Sequence, residues 1–488
     1  MHKYNISNNR VYPKYMDIRS WLNNCPIHFI SYKYIIRLGY MYSMEKMMID
    51  KLHEMLKEYT SHIQRIANRT HMLKRDLDSR LNELMNLRKE VEPANVVFKG
   101  ENLIETINYI EKYLDPIIGV DGSSRVIDTA YLFIGISTLS IYSRVLGEIL
   151  DHPSLPLRYT LPPLKEPFIA LSFDIEDVDE LISDLSQYSM ATSRSLAGVT
   201  YSKDYNKTVI LDELRTNLEN KALIHIGRNI DVFRKIGLEK FTVFIDGPIY
   251  PVPNVFKQYY NLLYSKQPSR GRIDDYIASW QILIKDRLKG IDLLEENNIP
   301  VIGIVKRIES SRVLINAKNY NDLLIDNDIR VGDLGNDQAF IDIILRALIM
   351  KKRITMPYKP MIIGPIHVPA SASYIDKFVE EVPDKIMYYI VIPLHRYSGR
   401  LLRYTLYRIE VTQKTMKILT DFDREPYIPV LADSIGMGTA LPFTILYTDK
   451  RCKLLSRSLA RIIASDLESK GIPLTYDTIR TIEAYIHD

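Results

Sequence analysis

Apolar residues along this chain recur in two different periods, and the change from one to the other divides it. From Met44 to Leu87 they follow a heptad. Ile49, Leu56, Ile63, Thr70, Leu77 and Leu84 share one position, and Leu52, Tyr59, Ile66, Leu73, Arg80 and Leu87 share the position three residues later. A seam of this kind predicts a coiled-coil arm over residues 44–92, with Lys, Arg, Glu and Asp on its solvated face. A long amphipathic helix lying on its own domain has the same pattern. Glu92, Pro93 and Ala94 break the period. The Tyr- and Asn-rich residues 1–43 have no regular period and receive no role.

From residue 93 onward, short continuous apolar runs alternate with helical periods. Strands are expected at IIGV (117–120), in RVIDTAYLFIGISTLSIYS (125–143) as its antiparallel neighbour, and at FIALSF, FTVFI and IPVIGIVKR. MYYIVIPLHRY and RYTLYRIEV, separated by Ser-Gly-Arg, are expected to form a hairpin. Helices are expected over residues 178–196, 210–235, 274–296 and 338–352, with a last one starting near Asp449. The proline-rich residues 152–168 and the polar GDLGND read as loops. This mixture predicts an α/β domain over residues 93–488, a mixed sheet flanked by helices, carrying an N-terminal helical coiled-coil arm.

Composition narrows the class. A chain of 488 residues exceeds one compact core, and 46% hydrophobic with 25% charged residues is ordinary for a globular protein. No apolar run approaches the roughly 18 residues of a membrane span, and the first residues lack the apolar middle of a signal peptide, so a cytoplasmic protein is expected. The net charge of +4, from 64 basic and 60 acidic side chains, does not by itself announce a nucleic-acid binder. Cys25 and Cys452 are far apart and have no zinc-type spacing, so any metal must be held by carboxylates.

Two apolar runs end in Asp-Gly: IIGVDGSSR (117–125) and FTVFIDGPIY (241–250). Each reads as a buried strand stopping at a tight turn, which places Asp121 and Asp246 at strand ends, where open α/β sheets usually keep their chemistry. Two carboxylates hold a hard divalent cation poorly, so further ligands are expected. On the helix 210–235, Glu213 shares a face with Thr216, Asn217 and Asn220, read as solvated. Glu219 stands one turn before Leu223 and Ile226 and is the preferred third ligand, although a pairing with Arg215 fits the same spacing. In LPFTILYTDKRCKLLSRSLARII, Asp449 falls in a first helical turn above a stripe of Cys452, Leu455, Leu459 and Ile462, and Asp433 is its rival. A first-turn acid is also ordinary dipole compensation. Lys306 and Arg307, ending GIVKR, are the basic pair expected on a substrate's phosphates. His395, inside an apparent strand, reads as a sheet residue.

These pieces resemble, in order, the NurA nuclease family of archaea and some bacteria. The likeness is carried by VDGSSR (120–125), Arg215 with Glu219, FIDGPIY (244–250), GIVKR (303–307), RIEV (408–411) and LPFTILYTD (441–449). The resemblance implies a ribonuclease H-like core and a manganese- (or magnesium-) dependent nuclease. It implies a single-strand endonuclease and 5′ to 3′ exonuclease that forms a homodimer and resects DNA ends, in double-strand break repair, with a hexameric HerA-type ATPase. Asp121, Glu219 and Asp246 fall on the family's acidic ligands, and Asp449 falls where the family has His or Asp. Leu441 stands where a tyrosine usually opens the last motif, the stretch from Glu219 to Asp246 is longer, and so is the N-terminal arm. Two other readings stay open: a catalytically silent dimeric adaptor for a translocating ATPase, and a nuclease of this fold directed at RNA.

Overall fold

The computed structural model describes residues 115–129, 132–155, 158–173, 190–202, 204–251, 272–309, 311–316, 335–342, 360–369, 382–393, 404–421 and 424–484. All fall within the compact unit Leu81–Asp488. The coiled-coil arm expected over residues 44–92 and the segment 1–43 lie outside the described residues.

The expected mixed sheet is present. Its strands are β1 (Ile117–Asp128), β2 (Leu132–Ser143), β3 (Gly147–His152), β4 (Ile169–Phe173), β5 (Ala191–Thr192), β6 (Thr242–Asp246), β7 (Val301–Val305), β8 (Met361–Val368), β9 (Lys385–Pro393) and β10 (Tyr404–Thr412). They lie in the order β5-β4-β2-β1-β6-β7-β10-β9-β8, with β3 also paired to β2. The centre β1-β6-β7 is parallel, and antiparallel pairs flank it on both sides. The helices are α1 (Lys207–Arg228), α2 (Ile230–Lys235), α3 (Ile273–Glu295), α4 (Val313–Asn316), α5 (Gln413–Asp421), α6 (Tyr427–Ser434), α7 (Phe443–Ser469) and α8 (Tyr476–Ala484). None of the described helices is long and apolar enough to cross a membrane.

Continuous apolar runs suit the central strands because both of their faces are covered. On one face Val120, Val243, Ile245 and Val301 pack with Leu214 and Leu218 of α1 and Trp280 and Ile284 of α3. On the other, Phe244, Ile302, Ile304 and Ile409 pack with Leu431 of α6 and Ile445 of α7. Alternate residues of one strand thus enter two cores, each fully buried large side chain contributing about 1.5–3 kcal/mol. The expected hairpin partners pair as β9 and β10, Tyr404 opposite Pro393.

Several expectations are corrected. β1 does not stop at Asp121 but continues to Asp128, paired with β2 along its length. Gly122 makes no turn. A Cβ there would stand 2.8 Å from Arg215 Cγ and 3.1 Å from Glu219 Oε1, so glycine lets α1 approach the strand. The described end of the helix expected over 178–196 is extended, with β5 pairing parallel to β4. The helix expected over 210–235 breaks at Asn229, between α1 and α2. The face of Glu213 is not solvated: Glu213, Thr216, Asn217 and Asn220 are all buried, because α3 covers α1 and Asn220 Nδ2 donates to Leu283 O at 2.7 Å. β3 and β8 arise where no strand was expected.

α7 begins six residues before Asp449, which therefore lies in the helix interior rather than in a first turn. The start is fixed by Asp433, whose carboxylate accepts from the Thr444 backbone N–H (2.8 Å) and hydroxyl (3.0 Å). Of the expected stripe, Cys452 and Leu455 are buried, but Ile462 is 65% exposed.

Candidate metal centre

β1 and α7 run side by side in the same direction. A Cβ on Gly119 would meet Thr444 Cγ2 and Thr448 Oγ1, each at 2.8 Å; Ser123 Oγ lies 3.1 Å from Ser456 Oγ; Ile127 packs with Ala460. Small residues on both elements allow this close approach. Between these contacts, on the same face of β1, stands Asp121. Parallel pairing places Val120 beside Ile245, so the next residues, Asp121 and Asp246, are lateral neighbours. β6 ends there, at Gly247 with φ +115°, while β1 continues, which opens a notch in the sheet beside the two aspartates. α7 supplies Asp449 to that notch. One carboxylate oxygen from each of Asp121, Asp246 and Asp449 lies within 4.8 Å of the other two.

Two ammonium groups touch the cluster. Lys306, just beyond β7, stands 2.7 Å from Asp246 Oδ2 and 4.0 Å from Asp449 Oδ1, and Lys453 stands 2.7 Å from Asp449 Oδ2, one helical turn on. Asp121, only 4% exposed, has no cation on it among the described residues and accepts only a thiol hydrogen, from Cys452 at 3.6 Å. Burial pushes its carboxyl well above the usual range, and the neighbouring Asp246, Glu219 and Asp449 push the same way against Lys306. Burial pulls the Lys306 ammonium down, but Asp246, Asp449 and Asp121 outweigh it and raise it. Burial and Asp121 raise the Cys452 thiol, which stays protonated and able to donate.

The set fits a hard divalent ion. Its donors are carboxylate oxygens, and its most buried member lacks a compensating charge. Cis oxygens on an octahedral ion, at bonds of about 2.1 Å, stand about 3 Å apart, so the three carboxylates would draw together by up to about 2 Å around it.

The other expected residues are placed as follows. Glu219 is not one of the three. It lies behind Gly122, on the α1 side of β1, with Oε2 3.0 Å from Arg287 Nη2 and Oε1 3.9 Å from Arg215 Nε. Burial raises its carboxyl despite both arginines. Glu213 accepts from Leu196 N and from Tyr201 OH at 3.3 Å, and burial pushes it up to about 7. Asp433 caps α7 and pairs with Arg144 Nε at 3.1 Å, burial pushing it up to about 6. Arg307 is exposed beside Lys306.

Arg287, Cys452 and Lys453 were not singled out as site neighbours. Arg287 had a legible signal: it falls at an inward position of α3, in register with the apolar Trp280, Leu283, Ile284, Ile291 and Leu294, and a buried guanidinium implies a buried acid. Lys453 follows Asp449 at i,i+4 spacing.

A domain model of the NurA family, the NurA domain, matches residues 115–431. Among solved structures the chain is similar to the NurA nuclease from Sulfolobus solfataricus, at 10% identity over 82% of this chain and 98% of that one, with a TM-score of 0.33. It is similar to a NurA with manganese, at 12% identity over 80% and 97% and a TM-score of 0.34. A NurA bound to dAMP and manganese gives 13% identity over 78% and 92%, with a TM-score of 0.31. No curated protein matches the sequence.

Proposed function

The chain belongs to the NurA family, and from that premise we propose that it is a divalent-metal-dependent nuclease hydrolysing the phosphodiester bonds of DNA. Asp121, Asp246 and Asp449 hold the ion, with Glu219 adding its charge from behind Gly122. The observation that carries this reading is the convergence of three aspartates from β1, β6 and α7 in one notch, the most buried of them without a cation. Manganese, the ion in two of the similar solved structures, suits the donor set, and magnesium does so equally.

When bound, the ion supplies Lewis acidity to the phosphodiester and a water acidic enough to attack at neutral pH. The chain's own residues prepare that chemistry. Cys452 orients the Asp121 carboxylate. Lys306 holds Asp246 and keeps an ammonium at the notch, within reach of a phosphate oxygen entering it, and the exposed Arg307 extends that positive charge outward. Lys453 steadies Asp449.

The finer parts of the proposal rest on family membership and on the heptad of residues 44–92: cutting of single strands within and from the 5′ end, homodimer formation, and end resection with a hexameric HerA-type ATPase. Light scattering of the full chain, and stimulation of duplex resection by such an ATPase and ATP, test these. The decisive assay incubates labelled single-stranded DNA, duplex DNA and RNA with the protein, with and without Mn²⁺. Manganese-dependent cleavage of DNA is expected. Cleavage of RNA only redirects the substrate, and no cleavage at all leaves the silent adaptor.

A further inference from the structure

We propose that Glu410 and Arg408 of β10 are positioning residues that fix where Asp246 and Lys306 stand, and thereby set the affinity of the site for its ion; this rests on the nuclease reading above. Neither belongs to the aspartate cluster. Glu410 lies opposite Gly303, which lies beside Ile245, so its side chain enters the α1 and α3 face of the sheet, the reverse of the face carrying Asp246.

From there Glu410 grips the chain just after Asp246. It is fully buried, and its Oε2 accepts from the backbone N–H of Ile249 at 3.2 Å. The turn Gly247-Pro248-Ile249 is pressed onto β7: a Cβ on Gly303 would stand 2.8 Å from Ile249 N and 2.9 Å from Gly247 O. Gly247 N donates to Ile304 O at 2.8 Å. The residue delivering Asp246 is therefore held from beneath by a glycine and from the side by a carboxylate. Glu410 is itself fixed by Lys385 Nζ at 2.9 Å and Arg408 Nη2 at 2.6 Å. These two cations keep it ionised despite its burial.

Arg408 extends the same grip to the segment after β7. Its Nη1 donates to Ser311 Oγ at 2.7 Å, and Ser311 Oγ donates to Asp337 Oδ2 at 2.6 Å. Asp337 Oδ1 in turn accepts from Leu314 N and Ile315 N, at 3.0 and 3.1 Å. Ser311 N donates to Ile308 O at 2.9 Å, two residues past Lys306, so one network reaches both strand ends that furnish the site. Outer partners that orient ligands in this way typically change metal affinity about tenfold or more when lost.

The test is calorimetric titration of Mn²⁺ into the full-length protein and into two variants. Glu410→Gln keeps an oxygen for Ile249 N–H but removes the charge that anchors it, and Gly303→Ala displaces the turn sterically while leaving every charge in place. Both are expected to bind Mn²⁺ about tenfold more weakly. Their cleavage should need correspondingly more Mn²⁺, while KM for the DNA strand and kcat at saturating Mn²⁺ hold. A merely structural role lowers the melting temperature in EDTA without that selective shift. Should Glu410→Gln not fold, its buried cations having lost their partner, Gly303→Ala decides. Wild-type Mn²⁺ binding with unchanged affinity in the folded variants overturns the brace and leaves the nuclease reading standing. Absence of Mn²⁺ binding by the wild type overturns both.

Discussion

On the α1 side of β1, Glu219 is buried against Arg287 and Arg215, and Glu213 accepts a backbone N–H and a tyrosine hydroxyl on Oε1, with burial raising its carboxyl to about 7. On the α7 side, three aspartates share a notch with Lys306 and a half-exposed Lys453, and the deepest of them receives only a thiol hydrogen. Both faces bury acid, and only on the α7 side do three carboxylates converge on one another. A buried carboxylate is tolerated when it is paired or protonated. Where carboxylates also crowd one another, as around Asp121, a raised carboxyl is the answer of the free protein, and a cation from outside can take the proton's place. Burial and residue type alone therefore do not distinguish a ligand from a structural acid. The distinction lies in what faces the oxygens.

Breaking the α7 side should have the largest effect. Asp246→Asn keeps shape and removes a charge the ion needs, so Mn²⁺-dependent cleavage of single-stranded DNA should fall by roughly a hundredfold or more. Folding should persist, and a variant that is destabilised yet fully active contradicts the assignment. On the α1 side the order reverses. Arg287→Met strips Glu219 of its closer partner and should cost about 3–5 kcal/mol in denaturant unfolding. An unchanged midpoint would show that Glu219 does not depend on that pair.

Glu213 sharpens the comparison through pH. Its folded-state pKa of about 7 lies above the ordinary 4.5, so the folded form holds the proton more tightly. That stability is fully present below about pH 4.5 and is lost as pH rises through 7. Glu213→Gln should therefore be the more stable form above pH 7, by roughly 3 kcal/mol at most, and should remove this part of the pH dependence between 4.5 and 7. Parallel pH profiles for the two proteins would contradict the shift.

Much of this was legible in the sequence where the signal is local. FTVFI followed by Asp-Gly-Pro gave a strand and a stop, and Asp246 stands at that stop. The same dipeptide at Asp121-Gly122 misled, because what keeps β1 extended is its pairing with β2, and what requires Gly122 is a helix some 90 residues away in sequence, at Arg215 and Glu219. The depth of Asp449 in α7 depends on Asp433, which caps the helix from another element. The burial of Glu213 depends on α3, whose contact with α1 runs through Asn220 and Arg287 (Nε to Oδ1, 2.5 Å). RIEV was visible as a motif, but the grip of Glu410 on Ile249 joins positions 161 residues apart. Tertiary partners of this kind leave no period to read.

The central claim, that the aspartate notch is deficient in positive charge and takes a divalent ion, is tested most directly by thermal melting of the wild type and Asp121→Asn in EDTA and in Mn²⁺. In EDTA, Asp121→Asn should melt at or above the wild type, because a like-charge repulsion has been removed. Mn²⁺ should raise the wild-type melting temperature, as a ligand of the folded state must, and should move Asp121→Asn little. A wild type that does not respond to Mn²⁺, or an Asp121→Asn that responds equally, would contradict the claim.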